Sequence, residues 1–129
     1  MSNFITGSGN CSANTNTGNN APVADAGSNF TIPKSTPFIL EGAATDADSD
    51  PITYCWEQYD KQVATMPPSS SSTSGPAFRS LDPTTSPDRY MPSLDNVVNN
   101  TNNTWEVLAN VTRSYNFRLT ARDNNSSGG

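Results

Sequence analysis

The chain has 129 residues, only 33% of them hydrophobic and 15% charged, with a formal net charge of −5. That length suits one domain with its own core rather than two. With seven Lys and Arg residues scattered along it, the chain has no basic stripe for nucleic acid or an anionic membrane surface. No apolar run reaches the ~20 residues that span a bilayer, and Met1 to Phe4 lacks the basic start and apolar core of a signal peptide.

Histidine is absent altogether. This removes Ser/His/Asp and Cys/His catalysis, two-histidine zinc motifs and most general-base schemes. A carboxylate pair remains as a formal possibility for acid–base work, but no pattern sets two carboxylates in an aromatic cleft. The chain therefore reads as non-catalytic.

In chain order, residues 1–20 read as a tail or linker: the stretch from Gly7 to Asn20 is small, polar and without periodicity, and its one distinctive residue is Cys11. Residues 21–129 read as the domain. Alternation predicts a strand over 29–33, with Phe30 and Ile32 on one face and Pro33 ending it. A second is predicted over 37–42, with Phe38 and Leu40 sharing a face. An acidic loop follows, Thr45-Asp-Ala-Asp-Ser-Asp-Pro51. The third strand, 52–58, has the clearest pattern: Ile52, Tyr54 and Trp56 on one face, Thr53, Cys55 and Glu57 on the other.

Residues 66–92, rich in Ser, Thr and Pro, read as a long excursion with short extended pieces at 77–79 and 89–91. A polar insertion over 99–103 leads into a predicted strand over 104–108. The last strand is predicted over 113–122, with Tyr115, Phe117, Leu119 and Ala121 inward and Arg118 and Arg122 outward. If the strands holding Glu57 and Arg118 are neighbours, those two side chains face each other on the surface. A central strand with a core Trp and a later Tyr-x-Phe-x-Leu strand fit an all-β, immunoglobulin-like Greek-key β-sandwich with long loops. Such a sandwich expects one further strand, so the fold is predicted to lack its last.

These residues also carry a family resemblance. Ala21-Pro22, Ala26-Gly27, Thr31-Ile-Pro-Lys34, Thr36-Pro-Phe38, the acidic loop and Tyr54-Cys-Trp-Glu-Gln58 occur in order. Gly75-Pro-x-Phe-Arg-Ser80, Pro83-Thr84, Arg89-Tyr90, Trp105-Glu106 and Phe117-Arg-x-Thr-x-Arg-Asp-Asn124 follow. The series resembles the immunoglobulin-like domain, related to cadherin and PKD modules, that follows the catalytic domain of secreted reprolysin-like zinc metallopeptidases of Bacteroidetes-type bacteria. The resemblance covers most of residues 20–125. It implies a secreted or cell-surface accessory module whose partner is the parent's own peptidase domain, with residues 1–20 as the end of that domain. It places zinc only in that catalytic domain, since this chain has no His-Glu-x-x-His helix. Ser49 stands where related modules commonly have Gly.

Two constellations leave alternatives open. Asp46, Asp48, Asp50 and Glu57 match EF-hand spacing, but the sixth position, which needs Gly, is Pro51, and the second half of the loop is the best strand. An EF-hand is excluded. A cadherin-like calcium site of Asp46, Asp48 and Asp50, closed by Asp123, stands against a plain Asx-turn loop. Cys11 and Cys55 either form an internal disulfide across the outer face of the sheet, or stay as free thiols, or Cys11 pairs outside this chain. Apart from an accessory or spacer role, the second function is an extracellular carbohydrate- or protein-binding adhesion module, calcium-assisted, with Tyr59, Tyr90 and Trp105 as surface aromatics. Tyr54, Trp56, Tyr115 and Phe117 sit at core periodicity instead.

Overall fold

A computed structural model describes residues 17–126. Among these residues the architecture is all-β, with one short helix. Strands β1 (Val23–Asp25), β2 (Phe38–Leu40), β3 (Ala43–Thr45), β4 (Thr53–Gln58) and β5 (Arg89–Met91) precede helix α1 (Leu94–Val98) and strand β6 (Phe117–Arg122). They form three antiparallel two-stranded sheets, β1–β3, β2–β5 and β4–β6.

The longest ladder joins the two strands with the clearest alternation. Thr53 pairs with Arg122 and Gln58 with Phe117, which sets Trp56 against Leu119 and Glu57 against Arg118. Trp56 is buried, and its indole Nε1 donates to the Pro87 carbonyl at 2.8 Å. On the opposite face the Arg118 guanidinium meets the Glu57 carboxylate at 3.0 Å. This exposed pair contributes little to stability. In β2, Phe38 and Leu40 are buried and Ile39 is exposed, as the alternation predicts.

The core is aromatic. Phe38, Phe78, Tyr115 and Phe117 lie with ring centroids 5.4 to 6.2 Å apart, in the range where edge-on and tilted pairs are favourable. Backbone approaches closely at Gly42, where a Cβ would come 2.7 Å from Leu119 Cδ2 and 3.1 Å from Trp56 Cζ2. Trp56 thus occupies space that a side chain at 42 would need.

The stretch 66–92, predicted as an excursion, supplies part of that core. Ala77 and Phe78 are buried, and Met91, at 0% exposure, is fully buried. Gln58 holds the returning chain, its Oε1 accepting from the backbone N–H of Ala77 at 2.7 Å and of Phe78 at 2.9 Å. Arg89 is also buried; its guanidinium donates to the Trp56 carbonyl and pairs with Glu106 at 3.1 Å. Glu106 in turn accepts from the Ser93 backbone N–H and the Asn103 side chain.

One predicted strand does not form, and another is reduced to a single bridge. Residues 29–33 have no strand character, with Phe30 57% and Ile32 37% exposed rather than inward. No described segment hydrogen-bonds along their backbone, and an extended segment without a partner edge does not become a strand. Of residues 104–108, only 104 and 105 turn, with Asn103 Oδ1 accepting from Trp105 N–H at 2.9 Å. Residues 105–107 pair with 77–79 through a single antiparallel bridge, Phe78 to Glu106. In it Arg79 N–H donates to the Trp105 carbonyl and Val107 N–H to the Ala77 carbonyl, both at 3.0 Å. The last strand starts at Phe117 rather than 113. Strands β1 and β3, from stretches without a clear alternation, were not predicted.

Candidate cation site at the acidic pole

The loop between β3 and β4 folds on Asp46. Its Oδ1 accepts from the backbone N–H of Asp48 at 2.9 Å and of Asp50 at 3.0 Å, an Asx-turn arrangement. Ser49 completes the turn with φ at 65°, the left-handed region that a Gly enters without cost and a Ser rarely does.

This geometry brings Asp46, Asp48 and Asp50 together, each offering an oxygen within 4.8 Å of the others. Among the described residues no Lys or Arg forms an ion pair with any of the three. Their charge is answered by amides. Asn20 donates its backbone N–H to Asp48 Oδ2 at 2.6 Å and its side-chain amide to Oδ1 at 3.1 Å. Asn125 Nδ2 donates to Asp50 Oδ2 at 2.8 Å. Asp46 Oδ2 is buried and has no hydrogen-bond partner.

Asp123 lies just past the end of β6 at the same pole, but is not one of the three clustered carboxylates. It is buried, and its oxygens accept from Asn19 Nδ2 at 2.7 Å and Asn125 N–H at 3.2 Å. The Asn19 hydrogen bond is the main reason its pKa lies below the ordinary 3.8, with the Asn125 N–H acting in the same direction. A carboxyl whose pKa falls on folding stabilises the fold fully above its unfolded pKa. That contribution is lost as the pH drops through the lower folded value. Asp123→Asn is therefore expected to flatten the fall in melting temperature below about pH 4. Melting curves of both proteins across that range check this, and identical slopes would count against it.

The donor set fits a hard divalent cation of the calcium type, which takes carboxylate, amide and backbone oxygens in a flexible shell. The buried, unpartnered Asp46 Oδ2 and the absence of a basic counter-charge are what such an ion would answer. Asp46, Asp48 and Asp50 are the residues that would hold it. Asn19, Asn20 and Asn125 were not singled out in the sequence, because Asn in a polar stretch carries no periodic signal.

Cys55 sits on the face of β4 opposite Trp56, half-buried, with its Sγ 3.4 Å from the Leu81 carbonyl. Nearby, Thr84 bridges Tyr54 through two backbone hydrogen bonds of 2.7 and 3.0 Å. Cys11, its partner in one of the alternatives above, lies outside the described residues. Of the surface aromatics, Tyr59, Tyr90 and Trp105 are all exposed. The Tyr59 ring already has the Lys61 ammonium 4.6 Å and the Arg118 guanidinium 4.8 Å from its centroid. Among the described residues, no helix is long and apolar enough to cross a membrane. Comparison with family models, curated proteins and solved structures gave no match.

Proposed function

We propose that this chain is a non-catalytic, immunoglobulin-like accessory module of a secreted zinc metallopeptidase, and that its acidic pole binds calcium to fix how the module is joined to its neighbour. The family part of this reading rests on the ordered sequence motifs from Ala21-Pro22 to Asn124. The role of the pole rests on one observation: Asn20 from one side and Asn125 from the other donate to Asp48 and Asp50 of the Asp46 loop, while Asn19 donates to Asp123 beside it. Both ends of the described chain are thus tied to one acidic loop, the first through Asp48 and the last through Asp50. A cation held there would set the direction of the chain on entering and leaving the domain, which suits a spacer that orients a catalytic unit. Zinc chemistry belongs to the peptidase domain and to no residue of this chain, which lacks histidine.

The test is calcium titration followed by thermal melting. A ligand bound only by the folded state stabilises it by RT ln(1 + [L]/Kd), about 2.7 kcal/mol at a hundredfold excess over Kd. The melting midpoint is expected to rise with calcium and to stop rising at saturation.

A further inference from the structure

The outer face of the β2–β5 pair is apolar. Ile39 and Tyr90 are directly opposite each other in that ladder and face away from the core, 39% and 41% exposed. Beside Tyr90, a cavity of about 180 Å³ opens between β4, the 81–88 segment and the start of α1. Leu81, Tyr90 and Leu94 line it and are themselves exposed. Asp82 and Asp88 line it too, and their exposure puts them at its mouth.

The walls are fixed by the fold, as those of ligand pockets usually are. Thr84 and Tyr54 exchange two backbone hydrogen bonds, of 2.7 and 3.0 Å, which pin the 81–88 segment to β4. Pro87 is held by the Trp56 indole, and Arg89 by the Trp56 carbonyl. The start of α1 is held at Ser93, whose N–H donates to Glu106 at 3.0 Å.

The charge at this cavity is one-sided. Among the described residues, Arg89 is the one cation that lines it, and its buried guanidinium is already balanced by Glu106 at 3.1 Å. The carboxylates of Asp82 and Asp88 form no ion pair and accept no hydrogen bond among the described residues. Asp95, exposed in the first turn of α1 next to Leu94, adds a further negative charge.

A water's share of the liquid is about 30 Å³, so the cavity has room for roughly six, the size of a single long side chain. Pockets for whole small molecules are larger, about 300–1,000 Å³. An apolar slot that ends in free carboxylates matches a side chain with an aliphatic stem and a cationic head. Such a side chain buries its stem and keeps its charge in water. The aromatic ring of Tyr90 adds a surface that attracts cations.

We infer that this cavity is a recognition pocket for one Lys or Arg side chain of a partner polypeptide, with Leu81, Tyr90 and Leu94 around the stem and Asp82 and Asp88 at the head. Ile39, beside Tyr90, extends the apolar contact to a residue next to that anchor. Other occupants fit less well. Residues 1–16 contain no Lys or Arg and cannot supply the cation. A sugar ring needs partners for its hydroxyls, and the Thr84 and Ser93 side chains of the lining are already engaged within the chain. Neither the acidic pole nor calcium takes part in this binding.

Titration of the isotope-labelled full chain with acetyl-Gly-X-Gly-amide peptides, X being Lys, Arg, norleucine or Glu, tests the pocket through the NMR shifts of the Tyr90 and Leu94 amides. The Lys and Arg peptides are expected to move both amides saturably at millimolar concentration. Norleucine, which has the stem without the charge, should bind at least about threefold more weakly, and Glu should not bind. Asp82→Asn and Asp88→Asn, both surface changes, should each weaken the Lys peptide by about two- to fivefold. Equal affinity for Lys and norleucine, or unchanged affinity when both substitutions are combined, would overturn the inference in favour of a plain apolar patch. Methyl glucoside moving these amides while the Lys peptide does not would overturn it in favour of a sugar. Shifts that grow with protein concentration in the absence of peptide would overturn it in favour of a second copy. Silence of both amides at millimolar Lys and Arg peptide would overturn it outright.

Discussion

Glu106→Gln is expected to destabilise the fold by about 3–5 kcal/mol, the usual cost of leaving a buried charge without its counter-ion. The substitution preserves shape, removes the charge and turns one of two accepting oxygens into a donor that faces Arg89 or the Ser93 and Asn103 N–H groups. Arg89 is 8% exposed and Glu106 3%, so water cannot replace the lost carboxylate. The Arg89 guanidinium would keep its bonds to the carbonyls of Trp56 and Arg79, but those neutral acceptors do not balance a full charge. The pair also connects distant parts of the chain: Arg89 lies on β5, Glu106 follows the turn at Asn103, and Trp56 lies on β4. Urea unfolding of the two proteins measures the difference. A loss below about 1 kcal/mol, typical of a solvent-exposed pair, would mean that the pair is hydrated.

Trp56→Ala is expected to cost a similar ~3–5 kcal/mol, as large-to-small changes of buried aromatics do. The indole packs where β4 meets β6, fills the space left by Gly42, and ties β4 to the 81–88 segment through Pro87. Trp56→Phe separates the two contributions, since it keeps most of the packing and loses the Nε1 hydrogen bond, worth about 1 kcal/mol. The order Ala, then Phe, then wild type in denaturation midpoint is the expected result. Equal effects of the two substitutions would assign the role of Trp56 to its hydrogen bond alone.

Where side-chain alternation ran for several residues, the sequence led directly to the structure. The β4–β6 ladder, the inward Trp56 and the Glu57–Arg118 pair all follow from period-two patterns, as does the buried face of β2. The short extended pieces at 77–79 and 89–91 were legible, and 89–91 forms β5, but which of their side chains enter the core was not. Phe78 and Met91 each anchor an extended stretch of about three residues within Ser- and Pro-rich chain, so no period could be read. The Arg89–Glu106 pair was illegible for a different reason: a buried ion pair is defined by tertiary neighbours, and a charged residue in isolation reads as surface. The reverse failure at Phe30 and Ile32 is equally physical. Their alternation is real, but alternation makes a strand only where an edge is available to pair.

At the acidic pole, the spacing of Asp46, Asp48 and Asp50 was legible because alternate carboxylates in a tight turn must converge. The amide partners were not. Asn19 and Asn20 fall in a segment whose composition reads as linker, yet they hold Asp123 and Asp48. The described end of that segment is therefore part of the domain's polar scaffold.

The central claim, that the pole is a calcium-set junction, is tested most directly by melting wild type and Asp46→Asn over a calcium series at constant ionic strength. Asp46 orders the turn through Oδ1 and presents the unpartnered Oδ2, so Asn keeps one oxygen for the turn and removes the charge. A saturable rise in the wild-type midpoint, abolished in Asp46→Asn and not reproduced by sodium, is the predicted result. A wild-type midpoint indifferent to calcium, or an equal rise in both proteins, would contradict it.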